Sequence, residues 1–142
     1  MTTLATIGYE DATPARLIAT LCDAGVETVV DVRALANSRR LGFAKRALSA
    51  ALAEAGIGYA HERALGTPPE GRAAAREGRP EAMRRVFAAH LAGVEAQAAL
   101  AALSDRARRE RLCLLCLEAD PARCHRTLVA EAVGLPVLHL QP

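Results

Sequence analysis

Thr28-Val29-Val30-Asp31-Val32 is the stretch that decides the fold. It is too apolar to keep one face in water, which is how strands of parallel sheets read, buried on both sides by helices. Upstream, Leu4 to Ile7 reads as a short first strand stopped by Gly8. Between the two, Thr13-Pro14 opens a helix with a capping hydroxyl and proline at the first helical position. Leu17, Ile18, Leu21 and Cys22 form its inward stripe, and Gly25 closes it. Cys22 is thereby expected in the core.

Downstream the alternation continues. A second helix is expected from about Phe43 to Ala55, with Phe43, Ala47, Leu48, Ala51 and Leu52 facing inward, and Gly58 to His61 starts a third strand. Leu65 to Pro80 carries three prolines, three glycines and three arginines and reads as an exposed loop, a candidate lid. Two alanine-rich helices, about Glu81 to Leu91 and Val94 to Ala107, lead to a buried strand from Arg111 to Leu117. Asp120-Pro121 caps a last helix running to Val133, and Gly134 ends it before a final strand from Pro136 to Leu140. Strands alternating with helices specify a single α/β domain over residues 1–142. Its mainly parallel five-stranded sheet is flanked by helices in a Rossmann-like three-layer arrangement.

Composition narrows the function classes. The apolar share is 51%, but aromatics make only 3%, so a stacking platform for single-stranded nucleic acid is not available and nucleic acid is a weak partner. The net charge of +2 gives no general pull on polyanions. Lys45 is the single lysine; every other basic residue is arginine, as a GC-rich genome would write it or as gripping anions would require. No apolar run approaches the roughly 20 residues that span a bilayer. The four cysteines form no disulfide framework of a secreted chain, so the cytoplasm is expected.

Ligands of open parallel sheets bind beyond the carboxyl ends of the strands. There the first strand delivers Gly8-Tyr9-Glu10, the second Asp31 and Arg33, the third His61, and the fourth Cys116 and Glu118. In the last helix, Leu128, Val129, Ala132 and Val133 define a sheet-facing stripe. His125 falls near its middle, one turn from the helix start, with Cys124 and Arg126 on its borders. The positive end of that helix favours an anion or a thiolate.

Thr6-Ile7-Gly8-Tyr9-Glu10, Val30-Asp31-Val32-Arg33, Ser38-Arg39-Arg40 and Leu115-Cys116-Leu117-Glu118, followed by Asp120 to Arg126, resemble the DUF488 family, in order over nearly the whole chain. The resemblance implies a compact α/β fold and functional importance for Cys116, Glu118, Cys124, His125 and Arg126; it implies no reaction. The chain departs from the family at Leu65-Gly66-Thr67, where Leu-Gly-Gly is frequent.

Several chemistries compete for these residues. A four-ligand zinc site from Cys113, Cys116, Cys124 and His125 is disfavoured, because residues three apart on a strand face opposite ways. A looser set of Cys116, Cys124, His125 and Glu118 stays open, and no metal or cofactor is expected from it. Val30-Asp31-Val32-Arg33 looks like a rhodanese signature, but Leu117 to Asp120 has no glycine for an anion cradle and carries two carboxylates. The expectation is an enzyme in which Cys116 or Cys124 is the nucleophile and His125 and Glu118 supply acid–base function. Tyr9, Glu10, Asp31, Arg33, Arg39, Arg40 and Arg126 would contact a small anionic or nucleotide-like substrate. A non-catalytic module binding the same class of ligand is the alternative. Arg72, Arg76 and Arg79 in the candidate lid could reach such an anion, but a solvated charged loop is the favoured reading of that stretch.

Overall fold

A computed structural model describes residues 2–142. Among them are five strands: β1 (Leu4–Gly8), β2 (Thr28–Asp31), β3 (Gly58–His61), β4 (Leu112–Cys116) and β5 (Val137–Leu140). The helices are α1 (Pro14–Asp23), α2 (Lys45–Glu54), α3 (Pro69–Arg76), α4 (Pro80–Leu91), α5 (Val94–Ala107) and α6 (His125–Val133). All strand pairs are parallel, in the order β3-β2-β4-β1-β5.

The pleat divides the core in two. Ala5, Ile7, Val29, Cys113 and Leu115 face α1 and α2; Leu4, Val30, Val32, Leu112, Leu114 and Cys116 face α3 to α6. Each of β1, β2 and β4 therefore buries both faces, the reason their sequences show no polar alternation. Connections leave β1 and β2 for one face of the sheet and leave β4 for the other. Because β4 lies between β2 and β1, its carboxyl end is the switch point at which a parallel sheet opens a crevice.

Local signals worked where the chemistry was local. Thr13 accepts a hydrogen bond from the Arg16 N–H at 3.2 Å and caps α1, with Pro14 following it. Four expectations need correction. Leu65 to Pro80 is not an exposed loop: a 3-10 turn (Arg63–Leu65) leads into α3, and Leu65, Gly71 and Ala74 are buried. The glycines there serve close packing, since a Cβ on Gly66 would lie 2.3 Å from the Cα of Ala34. Cys22 is exposed, because α1 seats Leu17 and Leu21 on the sheet and turns position 22 outward. Ala47 of α2 is likewise exposed, Leu48 and Leu52 being the buried pair.

The last helix is the fourth correction. Asp120 caps only a 3-10 turn (Pro121–Arg123), and α6 begins at His125 with Cys124 in extended backbone as its N-cap. The buried stripe is His125, Arg126, Val129, Ala130 and Val133, so Arg126 sits inside it and Ala132 faces out. Among the described residues no single helix is long and apolar enough to cross a membrane.

Candidate functional site

Cys116 ends the central strand, and the 3-10 turn brings Cys124 and His125 back over it. The Cys116 Sγ lies 3.7 Å from His125 Nδ1, and His125 Nε2 donates to the carbonyl of Val32 at 2.7 Å. A carbonyl can only accept, so Nε2 carries a proton and Nδ1 is the ring nitrogen that points at the sulfurs. The ring also tilts against Phe87, with centroids 5.1 Å apart. Both thiols and the imidazole are buried.

The two sulfurs behave as one group. Cys116 is held well above the ordinary thiol range by the hydrogen bond it makes to Cys124 and by burial. Burial pushes Cys124 up too, but the contacts with Cys116 and His125 and the charges of His125 and Arg126 bring it well below that range. The two thiols titrate as a coupled pair, Cys116 favouring its protonated form and Cys124 its ionised one. Burial drives His125 down, yet its contacts with Cys124, with the Val32 carbonyl and with Glu118 together outweigh it and raise the imidazole. Glu118, two residues past the strand, is pushed up to about 7 by burial and then by Cys124, against His125 and Arg126.

A second polar cluster sits on the opposite face. Arg33 grips Asp31 with Nε at 2.9 Å and Nη2 at 2.7 Å, and its Nη1 donates to the Phe43 carbonyl at 2.7 Å. Tyr59 donates to the same carboxylate, and the Tyr9 ring stacks on Phe43 with centroids 4.6 Å apart. Burial would lower Arg33, but Asp31 more than restores it and raises its pKa. Arg33 is therefore neutralised internally and has little charge left for a ligand.

Both clusters open onto a cavity of about 690 Å³ beyond the strand ends. Cys116, Glu118, His125, Tyr9, Glu10 and Arg33 line it from the sheet side. Across from them stand Thr67, Arg72 and Arg76 of the α3 segment, and Arg123 of the 3-10 turn.

A family model described as a domain of unknown function, DUF488, matches residues 13–133. The chain belongs to the DUF488 family. No curated protein and no solved structure matched it.

Within this DUF488 domain the expected site residues divide. Cys116, Glu118, Cys124 and His125 come together as anticipated. Tyr9, Asp31 and Arg33 reach the same rim, but as a buried, self-satisfied wall. Glu10 accepts the Ala119 N–H at 3.0 Å and Asp120 accepts the Ala122 N–H at 2.9 Å, so the chain's own carboxylates fill the loop that a rhodanese would keep for an anion. Arg40 clamps the carbonyls of Tyr9, Glu10 and Ala12, and Arg39 is exposed away from the cavity lining. Arg126 is fully buried with Nη1 on the Glu118 carbonyl, and among the described residues its Nε and Nη2 find no hydrogen-bond partner. It holds the loop under α6 instead of lining the cavity.

Sequence reasoning did not single out Thr67, Arg123 or the Val32 carbonyl. Arg123 lay inside the Asp120 to Arg126 block and was available by position. A backbone carbonyl that orients an imidazole 93 positions away leaves no trace in residue identity.

Proposed function

We propose that this DUF488 protein is a small cytoplasmic enzyme acting on an anionic small molecule, phosphorylated or carboxylated, in the cavity at the carboxyl ends of the strands. The contact of Cys116 with His125, whose far nitrogen is fixed on Val32, carries this reading. It presents a sulfur to the cavity and an imidazole nitrogen oriented to take its proton. Glu118, ionising near neutrality, is suited to give or take a second proton. Arg72, Arg76 and Arg123 hold the anion, replacing the arginines first expected in that role. Unpaired cysteines throughout agree with a reducing compartment.

Two measurements on chelator-treated protein test it. The coupled Cys116–Cys124 pair should react with iodoacetamide far faster than Cys113, which is fully buried on the other face of the sheet. Phosphate, nucleotides or carboxylates should raise the melting temperature, a ligand at about ten times its Kd adding roughly 1.4 kcal/mol. Arg76→Ala and Arg123→Ala should cut that response, and Arg39→Ala should not. An anion response without thiol reactivity indicates a non-catalytic binding module. Absence of both reduces the cluster to packing.

A further inference from the structure

We propose that Cys116, Cys124 and His125 bind one zinc ion through both sulfurs and Nδ1 of His125, with a fourth coordination position open to the cavity. The proposal rests on reading this cluster as the reaction centre, and it replaces the free sulfur by a metal-held group facing the substrate. The three donor atoms lie within 4.8 Å of one another. Tetrahedral zinc, with Zn–S of about 2.3 Å and Zn–N of about 2.05 Å, sets sulfur and nitrogen roughly 3.6 Å apart. Cys116 Sγ and His125 Nδ1 are 3.7 Å apart. The other two donor separations are at most 4.8 Å, so closing the set on an ion needs each to shorten by at most roughly 1.2 Å.

The orientation is as telling as the distance. A metal-ligating histidine ordinarily donates its other ring N–H to a carbonyl or carboxylate, which fixes the tautomer and aims the lone pair. His125 donates to Val32 in this way, leaving Nδ1 directed at the two sulfurs. Two thiols and an imidazole suit zinc far better than magnesium or calcium. Cys116 stands at the end of the central strand and Cys124 and His125 at the start of α6, so rigid elements carry all three ligands. Cys113 packs on the opposite face and cannot complete a closed four-ligand site. Cys116 and His125 line the cavity together with Glu118 and the arginines, whereas Cys124 does not, so an open position on the cavity side would be shared with those groups. Three protein ligands with one open position is the pattern of zinc sites that do chemistry, whereas structural sites are closed.

The test is metal content and ligand identity in the full chain. Protein purified without chelator, or loaded with zinc and dialysed, should retain one zinc per chain by mass spectrometry of the metal. Cobalt substitution should give a thiolate-to-cobalt charge-transfer band and the visible bands of a tetrahedral site. Cys124→Ser and His125→Gln should weaken zinc by at least about tenfold; Cys113→Ala and Cys22→Ser should not. If a ligand variant fails to fold, the unaltered protein still reports, because zinc should slow alkylation of Cys116 and chelator should restore it. Substoichiometric zinc after loading, together with Cys116 alkylation indifferent to zinc, overturns the proposal. Fast alkylation would then leave the thiol-enzyme reading standing. Conversely, bound zinc without any anion response keeps the metal site and removes the anionic substrate.

Discussion

Glu118 shows how far the fold moves a single residue's chemistry. A free glutamate ionises near 4.5, and burial beside Cys124 takes this one to about 7. A carboxyl raised on folding binds its proton more tightly in the native state, so its favourable contribution is full below about pH 4.5 and lost as pH rises to about 7. Allowing for partial exposure, that loss is on the order of 1–2 kcal/mol. Glu118→Gln should remove it: chemical denaturation of chelator-treated protein at the two ends of that window should show a smaller fall in stability than in the parent. An equal fall in both would mean that Glu118 titrates as a solvated side chain. The identity of Glu118 and its place after a strand were legible in the sequence, but its burial was not. Arg126 repeats the lesson, since helical phase put it at the border of a stripe and docking put it inside.

Among the elements, α3 changes the account most. Its prolines, glycines and arginines read as a loop because proline and glycine break helices and favour turns, and arginine is readily solvated, when each is taken alone. Packed against α4, the segment instead buries Gly71 and Ala74 and presents Arg72 and Arg76 to the cavity. Gly66 joins this segment to the strand β2 rim, where a side chain would meet the backbone of Ala34. Gly66→Ala should therefore cost about 1–3 kcal/mol through overpacking and should weaken the anion-dependent rise in melting temperature. Alkylation of Cys116 should be unaffected, because the sulfur, His125 and Val32 belong to other elements. Loss of Cys116 reactivity in this variant would show that α3 supports the thiol centre itself. In α6 the sequence carried the opposite ambiguity: Asp120-Pro121 is a proper cap, but of a 3-10 turn that ends before the helix begins.

For the molecule as a whole, the strand order predicts a gradient of local stability. β4 is buried along its whole length between β2 and β1, whereas the edge strands β3 and β5 are partly exposed. Native-state hydrogen exchange should be slowest in β4, approaching the global unfolding limit, and faster at β3 and β5. Uniform protection across the sheet would contradict that order. Since β4 carries Cys116, the site is anchored in the most protected part of the fold, with its arginines on the more peripheral α3 and the 3-10 turn. The sequence by itself determined the fold class, the alternation of elements and the carboxyl-end location of Cys116, Glu118 and His125, because these follow from periodicity, caps and the parallel-sheet rule within short windows. Tertiary structure alone decided which cations line the cavity. Arg33 found Asp31, Arg40 found three carbonyls and Arg126 went under α6, while Arg76, Arg123 and Arg72, the last with Nη1 on the Thr67 carbonyl, line the cavity. That selection depends on partners far apart in the chain, and a guanidinium's identity does not say which of them it will reach.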